Sequence, residues 1–161
     1  MSDLRVEKRR AAAELTLSTG RRIQGSFFLA GSSATHTGPE RVADLLNGES
    51  GFFPFAIQQI DGHARVETAL YNRAQLVSVK LLESTGEAKL DPGYELATER
   101  QVAMLLSNGD TICGAVRVYR PAGRDRLSDY ARSADMFRYV ESQHAAFIVN
   151  AAHIVELRET T

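Results

Sequence analysis

The sequence predicts a mainly β protein with short helices, of the α+β class. A β-β-α-β-β unit is duplicated in tandem, forming small barrel-like or packed antiparallel sheets. Three observations predict this. The first is a repeated grammar: Leu17, Gly20, Ile23 and Gly25 recur in the same spacing as Leu106, Gly109, Ile112 and Gly114. The second is apolar alternation with period two, the mark of a half-buried strand, at Ala13, Leu15 and Leu17 and again at Ile23, Phe27 and Leu29. The third is a set of longer correspondences. Arg41-Val42-Ala43-Asp44 matches Arg126-Leu127-Ser128-Asp129, and the seven residues from Tyr71 to Val77 match those from Val149 to Val155.

The elements follow in order. Residues 1–10 read as a flexible N-terminal segment, and residues 11–83 as the first unit. Gly20 supplies the positive φ of a tight turn between the first two strands. Gly25, in mid-strand, indicates bending or a close backbone approach. Residues 31–38 have a loop composition. Thr37 and Glu40 have capping-box spacing with Pro39 in the first turn, predicting a short helix through Val42, Leu45 and Leu46. Phe52, Phe53, Phe55 and Ile57 form the next strand, and Asp61-Gly62 predicts a hairpin turn. Residues 66–71 and 76–82 then read as strands separated by Asn72-Arg73-Ala74-Gln75. The polar stretch 84–98, with Pro92-Gly93, reads as a linker. Residues 99–161 repeat the unit: an Asn108-Gly109 hairpin, a loop at 121–125, Asp125 as helix N-cap, and Phe137, Tyr139 and Val140 in the place of Phe53 and Phe55. A single unit has little core, so the copies are expected to share one.

Composition narrows the function. The net charge is −1 in 161 residues, which gives no global attraction to nucleic acid or anionic membranes. No apolar run is long enough to span a membrane, and the charged first residues have no apolar signal core. Cys113 is the sole cysteine, so no internal disulfide forms and a cytoplasmic location is the expectation. It reads as an inert core residue of its strand.

Asn108, Gly109, Ile112 and Gly114, followed later by Asn150, His153 and Ile154, resemble the hairpin and late polar turn of Sm-like small β-barrel domains. The resemblance implies a barrel-like fold and RNA binding. The family places its helix before the first strand, whereas here a loop and helix interrupt each unit.

Candidate chemistry is sparse. Asn72 and Asn150 occupy equivalent turns, where an exposed Asn reads a base edge or a peptide backbone, or closes the turn itself. Lys8, Arg9 and Arg10 read as a solvated terminus, so Arg117, Arg120, Arg124 and Arg126 make the one basic stretch suited to nucleic-acid phosphate, or to an acidic partner. His36, His63, His144 and His153 show no metal-ligand spacing, and no nucleophile elbow, dinucleotide fingerprint or phosphate loop is present. No cofactor is expected. The reading is a non-catalytic protein-binding or scaffolding module that engages another protein or itself. The alternative is an Sm-like nucleic-acid binder using the four arginines.

Overall fold

The computed structural model describes residues 8–31, 40–58, 67–83, 86–121 and 123–160. The first half carries β1 (Lys8–Leu17), β2 (Arg22–Ala30), α1 (Val42–Gly48), β3 (Phe52–Ile57), β4 (Glu67–Asn72), a 3₁₀ turn at Arg73–Gln75, and β5 (Leu76–Leu81). The second carries β6 (Thr98–Leu106), β7 (Thr111–Val118), α2 (Leu127–Ala131), β8 (Phe137–Glu141), β9 (Ala146–Asn150), a 3₁₀ turn at Ala151–His153, and β10 (Ile154–Glu159). All ten strands pair antiparallel in one open sheet, ordered β10-β6-β7-β8-β9-β5-β1-β2-β3-β4. Among the described residues, each half therefore has five strands, one more than the β-β-α-β-β shorthand. An Asn-capped 3₁₀ turn divides the last extended stretch in two.

Several local features occur twice. Gly20 and Gly109 adopt φ of 88° and 91° in the two hairpin turns, as only glycine does readily. A Cβ on Gly25 would collide with the carbonyl oxygen of Ala56, and one on Gly114 would lie 2.7 Å from that of Glu141. Both glycines let the neighbouring strand pass close. The β1–β5 ladder skips Val77 at a bulge, and the β6–β10 ladder skips Val155 in the same way. Asn72 and Asn150 each accept the N–H two residues on, 3.0 Å away, capping their 3₁₀ turns.

Other expectations need correction. α1 starts at Val42, with Arg41 as N-cap and Asp44 accepting the Arg41 N–H at 3.0 Å. Glu40 instead reaches back to β2, accepting the Ala30 N–H at 3.1 Å. Likewise Arg126, not Asp125, caps α2, because Asp125 is taken by Thr98 Oγ1 at 2.8 Å. Strand pairing aligns Phe137 with Phe52, each opposite its Asn, rather than with Phe53. Cys113 is exposed, since the alternation of β7 buries Ile112 and turns its neighbour outward. Thr37, Pro39, the Asp61-Gly62 hairpin, His36 and His63 lie outside the described residues.

The apolar faces make two clusters. One gathers Leu15, Phe27, Leu29, Leu46, Phe53 and Phe55 of the first half; the other gathers Val102, Met104, Leu106, Val116 and Val140 of the second. They interlock where β5 meets β9. Ile148 and Phe137 of the second half belong to the first cluster, and Val77 of the first half belongs to the second. Each such buried side chain stabilises the body by about 1.5–3 kcal/mol, so the halves are tied by burial as well as by the ladder. The connecting segment is anchored too. Glu87 and Tyr94 are buried, and Glu87 Oε1 accepts the Val42 N–H at 2.7 Å.

Candidate functional site

Where the two halves face each other, α1, the connecting segment, β7, β8 and α2 enclose a cleft of about 280 Å³. Its walls are arginine, tyrosine and carboxylate, and they are largely paired with one another. Arg41 donates to Asp44 at 2.9 Å, to Asp91, and to the Glu87 carbonyl at 3.2 Å, with its guanidinium over the Tyr139 ring. Burial works against its charge, but Asp44 and Asp91 more than offset this and hold it protonated. Tyr119 donates to Asp91 at 2.9 Å. Tyr94 donates to Glu141 at 2.7 Å and lies under Arg117, whose guanidinium carbon is 4.2 Å from the ring centre. Burial raises the hydroxyl pKa of Tyr94, Tyr119 and Tyr139, so all three stay neutral. Tyr94 and Tyr119 donate, whereas the buried Tyr139 hydroxyl finds no acceptor among the described residues.

The structure divides the four arginines singled out from sequence. Arg117 turns into the cleft and is held on Tyr94. Arg120 is exposed at the rim of the same cleft. Arg124 and Arg126 are exposed on the loop before α2, with the Arg126 N–H committed to Asp129. Of the cleft residues, Arg41 and Tyr139 stand out in the sequence as repeat positions, and Asp91 and Tyr94 do not stand out as site residues, because the four come from segments distant in sequence and carry no shared spacing.

Asn150 does more than cap its turn. It is buried, and its amide donates across the halves to the carbonyls of Leu76 at 2.9 Å and Arg73 at 3.3 Å. Beside it, His153 Nε2 lies 2.8 Å from the Ala74 carbonyl, and Nδ1 lies 2.7 Å from Ser107 Oγ. This Ser–His contact has the reach of a nucleophile and base. The same position in the first half pairs Ser18 Oγ with Gln75 Oε1 at 2.5 Å, so the contact is one of turn locking. Asn72, the counterpart of Asn150, lies on β4 at the end of the sheet. Among the described residues, no strand pairs with the outer edge of β4 or of β10.

Fold and site together define a mainly β protein with, among the described residues, ten antiparallel strands, two short helices and no strand pairing with the two sheet ends. Comparison of the chain with known protein families, with curated protein sequences and with solved structures found no match. Among the described residues, no helix is long and apolar enough to cross a membrane, and no three metal-ligating side chains converge.

Proposed function

We propose that the chain is a non-catalytic protein-binding or scaffolding module, a tandem duplicate that works through the edges of its sheet. The duplication is supported by the paired glycines, bulges, capped turns and Arg–Asp helix starts in the two halves. The close approaches at Gly25 and Gly114 support barrel-like curvature in each unit. One observation carries the function. Among the described residues, both terminal strands have one edge that no strand pairs, and they bear large exposed apolar side chains, Leu70 on β4 and Val155 on β10. Such edges accept a further strand. The cleft, by contrast, pairs much of its charge internally, Arg41 with Asp44 and Asp91 and Arg117 with the Tyr94 hydroxyl.

The test is strand addition read by backbone amide exchange. A labelled peptide of residues 73–82, the β5 sequence, is expected to bind and to slow exchange in β4. A peptide of residues 145–152 should do the same for β10. If neither peptide protects either edge, the reading fails.

A second reading, Sm-like nucleic-acid binding, draws on the exposure of Arg120, Arg124 and Arg126. It predicts a salt-dependent shift of labelled single-stranded RNA that is lost in Arg124→Ala plus Arg126→Ala. Absence of binding at low salt ends it.

A further inference from the structure

The β5–β9 junction pairs the fifth strand of one half with the fourth strand of the other. β10 and β4 are the fifth and fourth strands left over. We propose that the chain assembles head to tail with copies of itself, β10 of one copy pairing with β4 of the next in the register that β5 and β9 already use. The proposal rests on the strand-edge reading above and names the partner.

Exposure of equivalent side chains carries the inference. Ladder register and repeated backbone bonds align β4 with β9 and β5 with β10. Ile148 is 0% exposed at the junction, whereas its counterpart Leu70 is 66% exposed. Val77 is 0% exposed, whereas Val155 is 66% exposed. Phe137 is 5% exposed, whereas Phe52 is 62% exposed. Three apolar residues buried at the junction thus have counterparts that the ends of the sheet leave exposed. Such side chains on an edge with no described partner strand favour association. β10 also carries the charges of Glu156, Arg158 and Glu159, and its bulge at Val155 repeats the one at Val77 that the junction accommodates.

The register follows. At the junction Ser78, Val79, Lys80 and Leu81 face Val149, Ile148, Phe147 and Ala146. Transferred to the ends, Glu156, Leu157, Arg158 and Glu159 face Tyr71, Leu70, Ala69 and Thr68 of the neighbouring copy. Leu157 meets Leu70, an apolar cross-strand pair. The polar clasp transfers as well. Asn72 takes the part of Asn150, its amide reaching the Ala151 and Ile154 carbonyls of the neighbour. Gln75 takes the part of His153: its Oε1 already accepts Ser18, as His153 Nδ1 meets Ser107, and its Nε2 is directed to the Ala152 carbonyl. Because the two faces differ, the contact is heterologous, and it closes into a ring or continues as a filament.

Sedimentation and light scattering should give wild-type masses at integral multiples of 17.7 kDa above the monomer, dissociating on dilution. Leu70→Lys destroys only the β4 edge, and Val155→Pro destroys only the β10 edge. Both sites are exposed, and circular dichroism confirms that each variant folds. Either variant alone should lose assembly by about a hundredfold in affinity. Mixed together, they should form one-to-one pairs, since one supplies an intact β10 and the other an intact β4. Asn72→Ala should weaken the wild-type contact by about tenfold. A monomeric wild type, or variants that assemble unaided or fail to pair when mixed, would overturn the proposal. If the wild type is monomeric yet the strand peptides still protect the edges, the scaffold reading stands without self-assembly. If the peptides fail as well, both fall.

Discussion

The two halves give the same job to different residues. In the first, Phe27, Phe53 and Phe55 pack as an aromatic cluster, with Phe27 and Phe55 at 5.1 Å and 77°. Arg73 sits over Phe53 and donates to the carbonyls of Leu45 at 3.0 Å and Phe52 at 2.7 Å. In the second half, Phe53 is replaced by Arg138 and Arg73 by Ala151. Arg138 now lies 4.9 Å from the Tyr130 ring centre and donates to the Tyr130 carbonyl at 2.7 Å. Tyr130 is the counterpart of Leu45, so a guanidinium satisfies the same helix carbonyl in both halves, reached from the 3₁₀ turn after β4 in one and from β8 in the other. The same carbonyl thus receives a donor in both halves from different elements. Aligning residues by type conceals this, because the two arginines stand at different positions.

The largest expected effect breaks this equivalence. Arg73 is buried, and its two bonds run from a charged donor to sheltered carbonyls. Arg73→Ala should cost about 4 kcal/mol in urea unfolding, each such bond contributing about 1.5–3 kcal/mol. Arg138 is only partly buried, and water can replace part of its role. Arg138→Ala should cost about 2 kcal/mol. Equal losses would show that burial does not set the difference.

Next in size is the asparagine pair, which sharpens the contrast between junction and edge. Asn150→Ala removes a turn cap and two buried bonds across the halves, at about 1 kcal/mol each and about 3 kcal/mol together. Asn72→Ala removes only the cap within the chain, about 1 kcal/mol. Measuring Asn72→Ala at high dilution, where any association is absent, keeps this comparison clean. A loss there as large as that of Asn150→Ala would mean that the junction bonds add nothing.

Much of the fold was legible in the sequence because its signals are local. Leu17, Gly20, Ile23 and Gly25 specify a hairpin and a bend through backbone sterics, and the alternation of β1 and β2 specifies their buried face. The helix starts were misplaced by one or more residues because Glu40, read as a capping-box partner, and Asp125, read as an N-cap, bond instead to β2 and Thr98. The cleft was not legible. Arg41, Asp91 and Arg117 converge only through the packing of the two halves, and sequence spacing carries no trace of that. Asn150 was singled out for its turn, and its second role depends on which strand lies beside it.

The smallest expected effect concerns Glu87, a support that serves the first half. Its carboxylate accepts the Val42 N–H at the start of α1 and is 5% exposed. Burial raises its pKa above the ordinary 4.5, and the Val42 N–H and Arg41 offset this only in part. The folded carboxyl therefore holds its proton more tightly than the unfolded one. The stability it contributes is full below 4.5 and is lost as pH rises through the folded value. Glu87→Gln keeps an oxygen to accept the Val42 N–H and removes the titration. It should raise stability at neutral pH by about 1 kcal/mol or less and flatten the decline between acid and neutral pH. Urea unfolding across that range reads both quantities. If the slope of the variant matches the wild type, another group carries the titration and the first half has no pH-dependent prop of its own.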